Sequence, residues 1–264
     1  MPELLAAAGI LVATAGATSL LLALPAVGLA ETAGPSHAAH RARIWLAALV
    51  LPPVIGLIAA AAALGLYAQG FVASPHIGGQ RPHLCILGLY QAPAGAYRLN
   101  AFAWLCLILV ALALARLIIG AATSHLLKRL VLSGGAPLPD IASGCVVHEV
   151  RLSRPTSFSV GLFRPVIVLS TPLLQSLDAA CVNAIIAHER AHCRRRDALM
   201  SLLADSSLTL LVLLPTAHYY RGQWLAASET AADDAALAAD VIPDDLRAAL
   251  EALRGDALRT VATP

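Results

Sequence analysis

Charge is the scarcest property of this sequence. Of its 264 residues, 13% are charged and 58% hydrophobic, whereas soluble domains carry about 25% charged residues. That balance excludes a single water-soluble domain of this length. Aromatic residues are also few, at 5%, Lys128 is the sole lysine, and the arginines are scattered. Without a basic stripe interleaved with aromatics, no direct nucleic-acid binding is expected. The five cysteines (Cys85, Cys106, Cys145, Cys181 and Cys193) are odd in number and widely spaced. They form no disulfide framework and read as buried or idle thiols. Internal repeats are absent as well.

What is abundant is apolar sequence in long runs. Leu4 to Ala30 holds no charge, Ile44 to Gln69 holds none, and Ala101 to Ala122 carries only Arg116 near its far end. Each exceeds the roughly 20 residues a helix needs to cross a hydrocarbon core of about 30 Å. Helices are the open-ended way to satisfy backbone polar groups there. Three transmembrane helices are therefore expected within residues 1–125, with the lipid bilayer as a partner. The first run is too long for the apolar core of a signal peptide and is preceded by Glu3 rather than a base, so it reads as an uncleaved anchor.

Basic residues orient the spans. Arg41 and Arg43 in the first connection balance Arg81 and Arg98 in the second. Lys128, Arg129 and Arg194-Arg195-Arg196 break the tie. Placing them in the cytoplasm puts the N-terminus and the 70–100 loop outside. That loop has no acidic residue and gathers His76, His83 and Cys85, a small set of possible metal ligands whose simpler reading is an ordinary loop.

From about Leu126 the character changes, and residues 126–264 read as a second domain. Ser133 to Asp140 is a loop by its Gly and Pro content. Val146–Leu152 and Val166–Ser170 read as strands flanking a turn region with Pro155, Gly161 and Pro165. Ser176 is placed to cap a helix running through Asp178 toward His192. The chain is again helical from Ala226, with Pro243 opening a last helix that ends near Gly255. A fourth apolar stretch, Ala198 to Leu214, contains Asp205 and is short for a span.

The chemistry lies in His188-Glu189-Arg190-Ala191-His192. Two histidines four apart share one helix face, with Cβ atoms about 5–6 Å apart. That spacing lets both imidazoles reach one Zn²⁺ at about 2.0–2.1 Å. Glu189 stands beside them, able to act as general base toward a water and general acid toward a leaving amine. The pattern is that of zinc peptidases, and at this composition it arises by chance in roughly 1% of sequences. A catalytic zinc needs a third protein ligand and an open position. Glu229 is the candidate ligand. Asp233, four residues on, and Asp197, five beyond His192, are candidates to hold the second ring N–H of a ligand histidine. For Asp197 ordinary surface charge is a serious alternative. If 198–214 crossed the bilayer, Glu229 would emerge opposite His188. A helical hairpin over 198–225, turning at Leu214-Pro215-Thr216 and associated with the membrane, is expected instead.

His188 to Asp197, the apolar stretch ending at Pro215, and Glu229 with Asp233 resemble the membrane metallopeptidases of the BlaR/MecR antirepressor type. Gly161 to Ser170 resembles that family's segment ahead of the active-site helix. The resemblance covers about 145–237, and the related HtpX-type membrane proteases share the scheme. It implies a mainly α membrane protein, three transmembrane helices followed by a gluzincin-like α+β zinc metallopeptidase domain, cytoplasmic, with His188, His192 and Glu229 on Zn²⁺. It implies an endopeptidase acting on a protein or peptide substrate, a regulatory protein such as a cytosolic transcriptional repressor. Family members that sense beta-lactams carry a further penicillin-binding domain. The sequence up to Pro264 holds none, so this chain is not expected to be that sensor by itself. Two other functions compete: membrane-protein quality control, and a non-catalytic receptor keeping a relic zinc fold. Peptide could add to the edge of the small sheet at 146–152 or 166–170. His148, His218, Tyr219 and Tyr220 are weaker candidates for stabilising the oxyanion.

Overall fold

The computed structural model describes residues 2–34, 37–68, 96–138, 145–239 and 241–259. The His76, His83 and Cys85 loop and Asp140 lie outside them. The first apolar run forms two helices, α1 (Pro2–Leu21) and α2 (Ala23–Thr32), rather than one. Pro25 explains the break, because it cannot donate to the Leu21 carbonyl and its ring crowds that oxygen. Backbone bonds from Leu22 to Thr18 and from Ala26 to Leu22 carry the chain through. The second run lies in α3 (Ala38–Ala68), which begins ahead of Arg41, and the third in α4 (Ala96–Gly134), twelve residues beyond Ala122. By length and composition Leu4–Leu21, Ala38–Leu66 and Ala101–Gly134 can each cross a membrane. Their exposed side chains include Leu21, Leu57, Ile58, Ile118 and Ile119. Such a surface is stable only in lipid, and the protein is a membrane protein.

Two compact units divide the described chain. One is made of Met1–Ala33, Arg43–Leu117 and Leu203–Trp224, and the other of Gly34–Ala42, Ile118–Leu202 and Leu225–Pro264. In the first, Trp45 stacks on Tyr220 and meets Tyr219 edge-on. Asp205 is paired there with Arg221 at 2.7 Å and Arg116 at 3.3 Å. These ion pairs neutralise the acid that interrupts the fourth apolar stretch.

The second unit carries a four-stranded sheet. Its strands are β1 (Ala136–Pro137), β2 (Val147–Val150), β3 (Ser157–Val160) and β4 (Val166–Ser170), in the order β1-β2-β4-β3. The predicted loop at 133–140 thus contains the end of α4 and the short β1. The region between the two predicted strands is not all turn, since β3 pairs antiparallel with β4 over Ser157–Val160. Gly161 ends β3 at φ +108°, a conformation other residues rarely adopt. β4 is buried along its whole length, parallel to β2 on its other side.

Helices α5 (Thr171–Ser176), α6 (Ala179–Arg195), α7 (Asp197–Leu210), α8 (Pro215–Leu237) and α9 (Pro243–Arg259) complete the chain. The expected cap at Ser176 is displaced. Ser176 closes α5 by donating to the Leu173 carbonyl, whereas the Asp178 carboxylate accepts from the Cys181 N–H at 2.8 Å and starts α6. Extended backbone at Leu177 separates the two helices. One core of Val147, Ile167, Leu169, Ile185, Ile186 and Ala249 joins β2, β4, α6 and α9. The 198–214 segment does not continue as one helix: α7 spans 14 residues, and α8 starts at Pro215. The last helix runs past Gly255 to Arg259.

Candidate metal centre and its surroundings

Helix α6 presents its apolar face to the sheet and its His188–His192 edge to a carboxylate-rich helix, α8. His188 and Glu189 are buried, and His192 is nearly so. The two histidine Nε2 atoms face each other at 3.1 Å. Glu229 brings Oε2 within 3.7 Å of His188 Nε2 and Oε1 within 3.8 Å of His192 Nε2. At those lengths the contacts are electrostatic rather than formed hydrogen bonds. The three donor atoms all lie within 4.8 Å of one another.

The far nitrogens of both rings are occupied. His192 Nδ1 lies 2.7 Å from Asp197 Oδ2 and His188 Nδ1 lies 2.9 Å from Asp233 Oδ1. The Asp197 contact is a formed hydrogen bond, whereas the Asp233 approach is off the hydrogen-bonding direction and acts as a charge contact. Carboxylates at both Nδ1 atoms favour the tautomer with the proton there, leaving two Nε2 lone pairs pointed at each other. Such an arrangement repels unless a cation or a proton lies between. The spacing matches a tetrahedral zinc site, whose ligand atoms stand about 3.3 Å apart when bonds are 2.0–2.1 Å. The donor set therefore fits zinc. Glu229 is 62% exposed, so the cluster opens to solvent on that side.

Asp197 is itself held from three directions. It accepts from Arg195 Nη2 at 2.7 Å and Ser228 Oγ at 2.8 Å besides its histidine, and Arg195 also donates to the Ser228 carbonyl at 2.9 Å. The geometry depends on Arg196, whose left-handed backbone (φ 55°) ends α6 and turns Asp197 back toward His192. On the other side of the helix, Ser157 of β3 donates to Glu189 Oε1 at 3.0 Å.

Electrostatics follow these contacts. Burial alone would lower His188, but the Glu229 carboxylate and then the charges of Asp233 and Glu189 hold the ring above its ordinary 6.5. The His188 ring correspondingly keeps Glu229 below the usual carboxylate range against the effect of burial. Burial would raise Asp197, yet His192, Arg195 and Ser228 together keep it low. Glu189 is pushed up by burial, tempered by His192, Ser157 and His188. Burial also pushes the Cys181 and Cys193 thiols up, which leaves them unreactive.

The six residues singled out from sequence thus come together. The weaker oxyanion candidates make other contacts. His148 is buried on β2 in register with Val168, on the sheet face opposite Val147 and the α6 core. His218 bonds the Val212 carbonyl at 2.9 Å, and Tyr219 and Tyr220 pack on Trp45. Sequence reasoning passed over Ser157, Arg195 and Ser228. Alternating Phe158 and Val160 was the available signal for β3, and hence for Ser157. Arg195 stands in a run of three arginines, with nothing local to distinguish it. The edge strands are also relocated: β4 is paired on both sides and β2 lies between β1 and β4, so among the described residues the sheet ends on the two-residue β1 and on β3.

Three helices long and apolar enough to cross a membrane, a small sheet and a His–His–Glu cluster beside a buried carboxylate point to one class, a membrane metallopeptidase. The family model described as BlaR1 peptidase M56 matches residues 99–241, more than half of the chain, and the chain belongs to that family. Membership implies a bound metal, typically zinc. No curated protein matches the sequence.

Proposed function

We propose that the protein is a zinc endopeptidase of gluzincin type, with Zn²⁺ on His188, His192 and Glu229 and with Glu189 as its general base and acid. The observation that carries this reading is the pair of Nε2 atoms facing each other at 3.1 Å, each ring backed by a carboxylate. When bound by these three residues, zinc would supply a Lewis acid to polarise a scissile carbonyl and acidify a water. Ser157 donates to Oε1 of Glu189 and orients the carboxylate that takes the proton from the attacking water and returns it to the leaving amine. Burial favours the first of these transfers, because a carboxylate whose pKa is raised is the stronger base toward the water. Asp197 orients the His192 ring by its hydrogen bond, and Asp233 sets a negative charge beside the far nitrogen of His188. An extended substrate adds to the free edge of β3, the strand that supplies Ser157.

The substrate in this reading is a regulatory protein such as a cytosolic repressor, and the peptidase domain faces the cytoplasm with the N-terminus outside. The side follows from Lys128, Arg129 and Arg194–Arg196. The α7–α8 hairpin is read as membrane-associated, since α7 is too short to span.

The test compares the native chain with Glu189→Gln in detergent, reading zinc content and cleavage of an unfolded test protein. Both should bind about one zinc, and the native chain alone should cleave. Absence of zinc from both would sink the site and leave a non-catalytic receptor. Equal cleavage by both would remove Glu189 from the mechanism.

A further inference from the structure

Away from the metal cluster, the second unit holds a groove of about 370 Å³ between α4 and the β3–β4 loop. Ser124, His125 and Lys128 line one wall, on a single stripe of α4, and Gly161, Phe163 and Arg164 line the other. Lys128 Nζ donates to the Arg164 carbonyl, which ties the loop to the helix and holds an ammonium at the groove. Phe163 is 70% exposed, an unusual position for a large apolar ring in water. None of the lining residues is acidic.

The place of this groove along α4 indicates what fills it. A helix of 39 residues is about 58 Å long, roughly twice the hydrocarbon thickness. If residues 101–122 cross, the stripe from Ser124 to Lys128 begins where the helix leaves the acyl chains. Leu126, Leu127 and Leu130 are exposed on the same stretch, so apolar surface continues into the headgroup layer. A cationic groove with an exposed aromatic at that depth matches a headgroup phosphate above and acyl carbon below.

We propose that this groove binds the phosphate of an acidic phospholipid through Lys128 and Arg164, with Phe163 lying among the upper acyl carbons. Gly161 is part of the device. Its φ of +108° allows the sharp exit from β3, and a Cβ there would meet Lys128 Cδ at 3.0 Å. The site goes beyond the peptidase reading and does not depend on it.

The test uses the full chain in nanodiscs, with Phe163→Trp as a reporter and the parent chain subtracted for its own tryptophans. Quenching is read with brominated phosphatidylglycerol and with brominated phosphatidylcholine at equal mole fraction. Each cation near the surface contributes about fivefold. The acidic lipid should therefore be preferred at least about fivefold, falling close to parity in K128Q/R164Q and persisting in K128R/R164K. Arg129→Gln, which does not line the groove, should leave the preference in place. Excess inorganic phosphate should not displace the lipid. Equal quenching by both lipids would reduce the groove to simple immersion in the bilayer. Preference that survives K128Q/R164Q would move the site elsewhere, and displacement by phosphate would make it a free-anion site. Absence of quenching by either lipid would mean that the groove faces water, where an acidic protein segment is the remaining occupant. Circular dichroism and a thermal melt of each variant check that the fold is intact.

Discussion

Replacing Asp197 by Asn tests whether the carboxylate behind His192 sets the strength of the metal site. The substitution keeps shape and volume but removes the charge that accepts from His192 at 2.7 Å, Arg195 at 2.7 Å and Ser228 at 2.8 Å. Carboxylates orienting a metal-bound histidine contribute 10–100-fold to affinity or activity, about 1.4–2.8 kcal/mol. The structure places this case toward the upper end. Arg195 Nη2 lies 3.3 Å from His192 Nδ1, and without Asp197 its charge is uncompensated beside a ring proposed to bind a dication. Zinc affinity measured by chelator competition should fall by about 30–100-fold in Asp197→Asn. Ser228→Ala, which removes one of three partners and no charge, should lose less. Circular dichroism and a thermal melt of the zinc-free forms separate affinity from folding. Zinc affinity of Asp197→Asn within twofold of native would refute the reasoning, and would make Asp197 an ordinary helix-end acid at the start of α7.

Two further outcomes follow from the same geometry. Ser157→Ala removes the hydroxyl that stabilises the Glu189 carboxylate, so the Glu189 pKa, already raised by burial, should rise further. The acidic limb of the kcat/KM profile should then move to higher pH with zinc content unchanged, and an unmoved limb would detach Ser157 from Glu189. Stability of the chelator-treated protein should be greatest in mildly acidic solution. Asp197 and Glu229 are depressed, so their contribution is present above the ordinary carboxylate values of 3.8 and 4.5 and is lost as pH falls through the lowered ones. His188 is raised, so its contribution is full below 6.5 and is lost as pH rises through the higher value. Zinc loading should abolish the alkaline decline, because the metal requires neutral imidazole. Melting curves from pH 3 to 8.5 that coincide with and without zinc would contradict this.

The sequence by itself determined what short-range rules control. Uncharged runs longer than a bilayer core must be helices, because lipid leaves the backbone no other partner. Two histidines at i and i+4 must share a face, and the i, i+4 pair Glu229 and Asp233 must share one too. Pro243 opens a helix, where its missing N–H costs nothing, whereas Pro215, expected in a turn, starts α8 ahead of the expected helical start at Ala226. Within these rules Pro25 divides the first run into α1 and α2.

Only the tertiary structure decided the remainder. Four residues of β3 become a strand through pairing with β4, a long-range pairing that places Ser157 against Glu189 and makes β3 an edge strand of the described sheet. Asp178 rather than Ser176 caps α6 because α5 already uses Ser176 at its own end. Arg195 is singled out from its two neighbours by the left-handed turn at Arg196 and by Ser228, more than thirty residues away. These choices rest on groups distant in sequence meeting in space, and no local pattern encodes which partner each will find.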